Sequence, residues 1–107
     1  MSGRRRLPHD HRMTSLLITH TITGPLEEWI DTFSSFDEVR TKGGVTAVQV
    51  RHGVDDPHQL AIDLEFGSTD EARAFQAFLE TQVWPNSPHL GGTTPESRIL
   101  EPLAVRA

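Results

Sequence analysis

The alternating pattern of residues 45–66 limits the possible folds of this chain more than any other feature. Even-numbered positions on both sides of a central turn share one face of a strand, because side chains alternate with period two. If the chain turns near Asp56, these faces coincide in three pairs: Val50 with Ile62, Val48 with Leu64, and His52 with Leu60. A slip of one residue would turn the two apolar faces away from each other. The sequence therefore predicts an antiparallel hairpin with one register.

A strand and a helix are predicted before this hairpin. Residues 15–23 are rich in β-branched side chains and alternate, so that one face carries Leu16, Ile18, His20 and Ile22. Residues 25–42 repeat apolar side chains at helical spacing, and this stripe extends to Val39. Gly43 and Gly44 then end the helix, because glycine adopts the left-handed cap conformation without steric cost.

A second helix and a last strand are predicted after the hairpin. Ser68 and Glu71 form a capping box at the start of the helix, since each side chain can bond the other residue's backbone amide. This helix is expected to end near Trp84, because the residue before a proline disfavours helix. Residues 98–105 predict a last strand, and Pro102 places at least that part of it at an edge or a bulge. The order β-α-β-β-α-β predicts a ferredoxin-like α+β protomer, in which a four-stranded antiparallel sheet carries two helices on one face.

Length and charge exclude several classes of function. The 107 residues fit one domain, and the absence of cysteine excludes disulfides, thiolate nucleophiles and cysteine-based zinc sites. Of the net charge of −5, residues 1–12 contribute +3 from four arginines and one aspartate, so residues 13–107 contribute −8. This acidic body argues against a nucleic-acid partner, which requires clustered cations. We expect a disordered extension over residues 1–12 and one folded domain over residues 13–107.

Membrane association and export are also not expected. No apolar run reaches the ~20 residues that span a bilayer. The arginines near the start are not followed by the apolar stretch of a secretory signal. The sequence therefore predicts a cytoplasmic protein.

One face of the predicted sheet has no helix to cover it. Odd-numbered positions on this face include Leu17, Val45, Ala47 and Ala61, which are too apolar for a large open surface. Two sheets that pack face to face would bury these side chains. We therefore expect a homodimer.

The segment from Leu64 to Ser68, together with the following residues Asp70 to Phe75, resembles a sequence motif of the dimeric α/β-barrel superfamily, especially of the antibiotic-biosynthesis-type monooxygenases. In this motif a strand ends in an aromatic residue and leads into a capped helix. The resemblance covers residues 16–103 and implies a dimeric α/β barrel with a ligand pocket between sheet and helices. It also implies a small-molecule enzyme that needs no cofactor and oxidises a phenolic or quinol-type aromatic compound.

Two histidines on the apolar strand faces are the candidate catalytic residues. His20 and His52 could act as general bases toward an acidic phenol, because the pKa of histidine lies near neutral pH. The commoner explanation for such positions is a buried histidine that bonds a backbone group or, for His52, a strand-end residue close to solvent. The candidate substrate-binding residues, which are aromatic or lie in the following loop, are Trp84, Phe78, Trp29 and His89. No metal-ligand spacing is present.

Two alternatives to an oxygenase remain. The first is a non-catalytic dimer of the same fold that binds a ligand or is purely structural. The second is haem degradation, for which the resemblance implies an asparagine on the first strand and a tryptophan on the second helix. This chain has His20 and Phe78 at those places, and only His89 roughly matches the family's third residue. Haem degradation is therefore the least favoured of the three.

Overall fold

The computed structural model describes residues 14–86 and 94–103. These residues form four strands, three α-helices and one π-helical turn: β1 Thr14–Thr21, α1 Leu26–Ser35, α2 Asp37–Lys42, β2 Val45–His52, β3 Gln59–Phe66, α3 Thr69–Phe78, the π-helical turn Leu79–Val83, and β4 Glu96–Leu100. The predicted extension over residues 1–12 and the candidate residue His89 lie outside the described residues. So does the end of the predicted last strand.

The four strands form an antiparallel sheet in the order β2-β3-β1-β4. The predicted hairpin register is confirmed, since Val50 pairs with Ile62, Val48 with Leu64, and His52 with Leu60. β1 pairs with β3 on its other side, where His20 also lies opposite Leu60. The ferredoxin-like α+β fold predicted from the element order is therefore confirmed. One row across the sheet contains His20, Leu60 and His52.

The helices cover the even-numbered face of the sheet, and the hydrophobic core lies between them. The core consists of buried side chains from β1, β3 and α3: Leu16, Ile18, Ile62, Leu64, Phe66, Ala72 and Phe75. One half of the predicted capping box is present at the start of α3, because Ser68 Oγ accepts a hydrogen bond from the Glu71 amide at 3.2 Å. The Glu71 carboxylate accepts a hydrogen bond from the Ser68 hydroxyl at 3.3 Å. At the edge of the sheet, β2 is less well covered, and its Val48 and Val50 side chains are 41% and 38% exposed.

The single helix predicted over residues 25–42 is interrupted at Phe36. The Phe33 carbonyl accepts hydrogen bonds from the Phe36 amide at 3.1 Å and from Arg40 Nη1 at 2.8 Å. In an uninterrupted helix this carbonyl would accept the amide four residues later. A contact between side chain and backbone therefore stabilises the break, and the apolar spacing of the sequence contains no sign of it.

The second predicted helix also changes geometry before its end. Regular α-helix stops at Phe78, and the next five residues form a π-helical turn. Its characteristic bond joins the Trp84 amide to the Leu79 carbonyl at 2.8 Å. Such wide turns inside helices occur frequently at functional sites. The predicted end near Trp84 is correct, although the last turn is wider than expected.

No helix within residues 14–86 and 94–103 combines the length and the apolar character needed to cross a bilayer. The odd-numbered face of the sheet is not covered by any helix of this part of the chain. Ala47 on β2 is exposed on it, and so is Leu100 on β4, which lies opposite Ser15 of β1. Val45, which was predicted for this face, instead pairs with Phe66 before a register shift and packs against the core.

A candidate ligand cavity between the sheet and the helices

A cavity of about 100 Å³ lies between the even-numbered face of the sheet and the helices. For scale, an apolar cavity of ~150 Å³ in another protein admits benzene. The enclosed part of the cavity is smaller than this, but the cavity is partly open to the surface, so an aromatic ligand of one or two rings can extend beyond it. The residues that line it are mostly aliphatic and aromatic: Ile18, His20, Trp29, Thr32, Phe33, Phe36, Val39, Arg40, Ile62, Leu64, Phe75, Phe78, Leu79, Val83, Trp84 and Pro95.

Two groups of packed aromatic rings form much of the cavity wall. On α1, the rings of Trp29 and Phe33 are stacked, with centroids 4.9 Å apart and planes at 17°. On α3, the ring of Phe75 contacts that of Phe78 at 5.8 Å in a tilted arrangement. Offset and tilted ring pairs of this kind contribute stability beyond their buried area. They also present flat apolar surfaces on which a planar ligand can stack.

His20 lies at the boundary between this cavity and a second, more polar depression. The imidazole is buried, with 6% of the residue exposed, and it lines both spaces. The second space is a groove of about 550 Å³ at the end of the sheet, and its other polar residues include Thr19, Arg51 and Glu96. A histidine in this position can exchange a proton with a cavity ligand on one side and lies next to a polar groove on the other.

Arg40 brings a guanidinium group to the cavity wall. Only 8% of its side chain is exposed, and the guanidinium carbon lies 3.8 Å from the centre of the Phe33 ring. Besides the bond to the Phe33 carbonyl, the side chain forms an ion pair within the described part of the chain, in which Nη2 lies 3.8 Å from Asp37 Oδ1. Burial lowers the pKa of Arg40, and the nearby Asp37 carboxylate partly opposes this effect.

The structure brings four of the six candidate residues to one cavity. His20, Trp29, Phe78 and Trp84 all line it, on four different elements or their ends. His52 does not, although it shares a sheet face with His20. It is an exposed residue that lines the polar groove, and its Nδ1 lies 2.9 Å from the Gly53 carbonyl oxygen. The two histidines therefore share the polar groove, but of the two His20 alone lines the cavity, and His52 is a strand-end residue close to solvent.

His52 is separated from the cavity because the helices do not extend over the end of the edge strand β2. The periodicity that placed it on the same face as His20 says nothing about how far the helices reach. Within residues 14–86 and 94–103, no group of three or more histidine, aspartate or glutamate side chains is arranged to hold a metal ion.

Arg40 is the cavity residue that the sequence interpretation missed. Its place in the last turn of the helix predicted over residues 25–42 favours a simpler role there, in which a positive charge complements the helix dipole. A signal was nevertheless present, since Arg40 follows Phe36 by four residues and Phe33 by seven. This spacing places all three side chains on the same helical stripe. An arginine on the apolar stripe is a candidate for a buried cation.

No protein-family model matches the chain, and no curated protein matches it either. Solved structures do match. SnoaB from Streptomyces nogalater, described as a cofactor-independent oxygenase, has a TM-score of 0.67 and 14% sequence identity. That match covers 87% of this chain and 95% of SnoaB. The chain has the fold of these oxygenases.

Two further structures extend the comparison. A Bordetella bronchiseptica protein, named as a candidate antibiotic biosynthesis monooxygenase, has a TM-score of 0.67 and 10% identity over 87% of this chain and 99% of its own. The monooxygenase ActVA-Orf6 of Streptomyces coelicolor, solved with the ligand nanaomycin D, has a TM-score of 0.64 and 13% identity over 96% of this chain and 98% of its own. The resemblance to antibiotic-biosynthesis-type monooxygenases is thus confirmed at the level of fold.

Proposed function

We propose that this protein is a small-molecule monooxygenase that acts on a flat phenolic or quinol-type aromatic compound. The observation that carries the proposal is the position of His20, a buried base on the wall of an aromatic cavity. The fold shared with SnoaB and ActVA-Orf6 supports it, since both are described as oxygenases. Fold alone does not determine function, so the argument depends on what the cavity can do chemically.

The first step of the proposed reaction is removal of a proton from the aromatic hydroxyl. Histidine suits this step because its ordinary pKa of ~6.5 lets it accept a proton near neutral pH. The resulting anion is electron-rich, and a deprotonated phenol reduces molecular oxygen more readily than the neutral form. His20 then holds the proton beside the polar groove.

The second step joins the substrate to oxygen. With 1-naphthol as an example, the naphtholate transfers one electron to oxygen, and the two radicals combine at the carbon opposite the hydroxyl. Loss of the hydrogen on that carbon cleaves the O–O bond and releases water, which leaves a carbonyl. One oxygen atom enters the product and the other leaves as water, so naphthol and oxygen give naphthoquinone and water. The substrate itself supplies all the electrons.

The aromatic wall has a positioning role in this proposal. Trp29 and Phe33 offer a stacked surface from α1, and Phe78 and Trp84 lie on the other side of the cavity at the end of α3. Holding a planar ring in one orientation fixes the distance between its hydroxyl and the His20 imidazole. Pre-positioning of reacting groups is among the larger sources of rate enhancement in enzymes.

We also propose that the protein acts as a homodimer through the odd-numbered face of its sheet. Leu17 and Ala61 at the centre of this face are half-buried, while Ala47 and Leu100 toward its edges are exposed. No helix within residues 14–86 and 94–103 packs on this face. A second copy would bury these side chains and leave the cavity on the opposite face of each sheet accessible.

Oxygen consumption with a panel of phenols and quinols tests the proposed activity. The wild-type protein should consume oxygen with 1-naphthol or 1,4-dihydroxynaphthalene faster than the uncatalysed background. His20→Ala should reduce this rate by roughly 10²–10⁴-fold, the usual contribution of a positioned acid–base group. His58→Ala is a matched control, because His58 is partly exposed and does not line the cavity. Its rate should equal that of the wild type.

Thermal melts of the same variants separate catalysis from structure. A catalytic His20 predicts that His20→Ala stays folded, with a melting temperature close to that of the wild type. A large loss of stability, with no oxygen uptake by the wild type on any compound, would favour a non-catalytic protein in which His20 is part of the core.

A further inference from the structure

The charges around the cavity differ in sign from the charge of the whole protein. The chain has a net charge of −5 and contains 15 acidic residues against 10 lysines and arginines. Among the described residues that line the cavity, the ionisable ones are His20 and Arg40, and both are basic. The ionisable groups found around this apolar space are thus basic, although the protein as a whole is acidic. This arrangement favours a negatively charged ligand.

Arg40 is held in place by a bond that uses only part of its guanidinium group. Nη1 donates to the Phe33 carbonyl at 2.8 Å and fixes the break between α1 and α2. Nε is buried and has no hydrogen-bond partner among the described residues. Within residues 14–86 and 94–103, Nη2 faces Asp37 Oδ1 at 3.8 Å, and the Asp37 side chain is 81% exposed. The edge of the guanidinium formed by Nε and Nη2 therefore lacks a close acceptor.

A purely structural role does not account for this arrangement. One neutral donor would be enough to bond the Phe33 carbonyl, whereas a buried charge without a close counter-ion is unfavourable for folding. Burial lowers the pKa of Arg40, but arginine keeps its proton in proteins. The cavity wall thus contains a fixed positive charge with unused donors, as expected of a group prepared for a ligand.

We propose that Arg40 binds the carboxylate group of an aromatic carboxylic acid in this cavity, through the edge formed by Nε and Nη2. Two parallel N–H donors match the two oxygens of a carboxylate, and such bidentate pairs are among the stronger and more specific polar contacts. The proposal rests on the proposed function and deepens it by naming the substrate class. Arg40 would hold the acid group and so orient the ring, while His20 faces the hydroxyl.

Binding of two matched one-ring compounds tests this inference without any turnover. The probes are 4-nitrobenzoate and 4-nitrobenzyl alcohol, which differ chiefly in the carboxylate. Dissociation constants come from titration calorimetry. Tryptophan quenching reports the location, because the chain has no tyrosine and both of its tryptophans, Trp29 and Trp84, line the cavity. The wild type should bind the acid about 10–100-fold more tightly than the alcohol, as charged hydrogen bonds contribute ~1.5–3 kcal/mol.

Three variants complete the design. Arg40→Gln keeps a donor for the Phe33 carbonyl and removes the charge, so it should bind the acid about 10–100-fold more weakly while its affinity for the alcohol changes less than about twofold. Arg40→Lys keeps the charge without the paired donors, and its affinity for the acid should lie between those of the wild type and Arg40→Gln. Lys42→Gln removes an exposed positive charge from the same helix and should match the wild type.

Each outcome decides the proposal. Equal affinity of the wild type for acid and alcohol would overturn it, and this comparison needs no variant to fold. An equal loss of affinity for the acid in Arg40→Gln and Lys42→Gln would also overturn it, since that would indicate a general effect of charge. The absence of binding for both probes would overturn it as well. Preference for the acid together with no oxygen uptake on the phenol panel would leave the carboxylate site standing and refute the oxygenation of these phenols.

Discussion

Replacing Gly43 by alanine should destabilise the fold through one contact with the cavity wall. A Cβ atom at this position would lie 2.5 Å from Phe75 Cδ1 and 2.8 Å from Cε1. Optimal contacts between carbon atoms are ~3.5–4.0 Å, so the ring would have to move by roughly 1 Å. Phe75 is buried and is packed against Phe66 and Phe78, so its ring can move most easily toward the cavity.

The expected magnitude combines two opposing effects. Overfilling a packed core destabilises by about 1–3 kcal/mol. Replacing glycine reduces the entropy of the unfolded chain and returns about 0.4–1 kcal/mol. The backbone at Gly43 is right-handed, with φ of −80°, so alanine adds no backbone strain there. We therefore expect a net loss of about 1–2 kcal/mol, which lowers Tm by roughly 4–16 °C in a domain of this size.

Gly24 provides the matched control for this substitution. A Cβ atom there would meet nothing within 4 Å, and Gly24 does not have a positive φ. Gly24→Ala should therefore be neutral or stabilise by up to about 1 kcal/mol. Urea unfolding followed by tryptophan fluorescence measures both variants. If Gly43→Ala were as stable as Gly24→Ala, the close packing of Phe75 against the end of α2 would be refuted.

Two further predictions concern the helix cap and the open sheet face. Ser68→Ala should lower the free energy of unfolding by about 0.5–2 kcal/mol, because Ser68 Oγ bonds the Glu71 amide, and an unchanged urea midpoint would contradict this. Ala47→Glu should weaken the proposed dimer, since it would bury an unpaired carboxylate on the odd-numbered face. Light scattering at several concentrations should show a dimer for the wild type and a larger monomer fraction for the variant; a wild type that is monomeric throughout would refute the dimer.

The parts of the fold that follow from local periodicity could be predicted from the sequence. The register of β2 and β3 follows from a pattern that only one pairing satisfies, and that pairing is observed. The start of α3 follows from Ser68 and Glu71, whose side chains are close enough in sequence to cap the helix by themselves. These features depend on residues near each other in the chain.

The parts that depend on contacts between elements could not be predicted. The break at Phe36 has no glycine or proline to mark it, and it is stabilised by the side chain of Arg40. The burial of Arg40 also contradicts the usual exposure of arginine. His52 shares a face with His20, but its separation from the cavity depends on where the helices end above the sheet. Sequence periodicity indicates which side chains share a face of a strand, but it does not indicate how much of that face the helices cover.

In the proposed reaction, one atom of molecular oxygen enters an aromatic substrate in the cavity beside His20. The mass of the quinone formed from 1-naphthol under ¹⁸O₂, analysed at early times in wild type and His20→Ala, tests this step. The wild type should give one ¹⁸O atom in each product molecule, at a rate well above that of the variant. Quinone without the label, or an equal rate of labelling in both proteins, would contradict it.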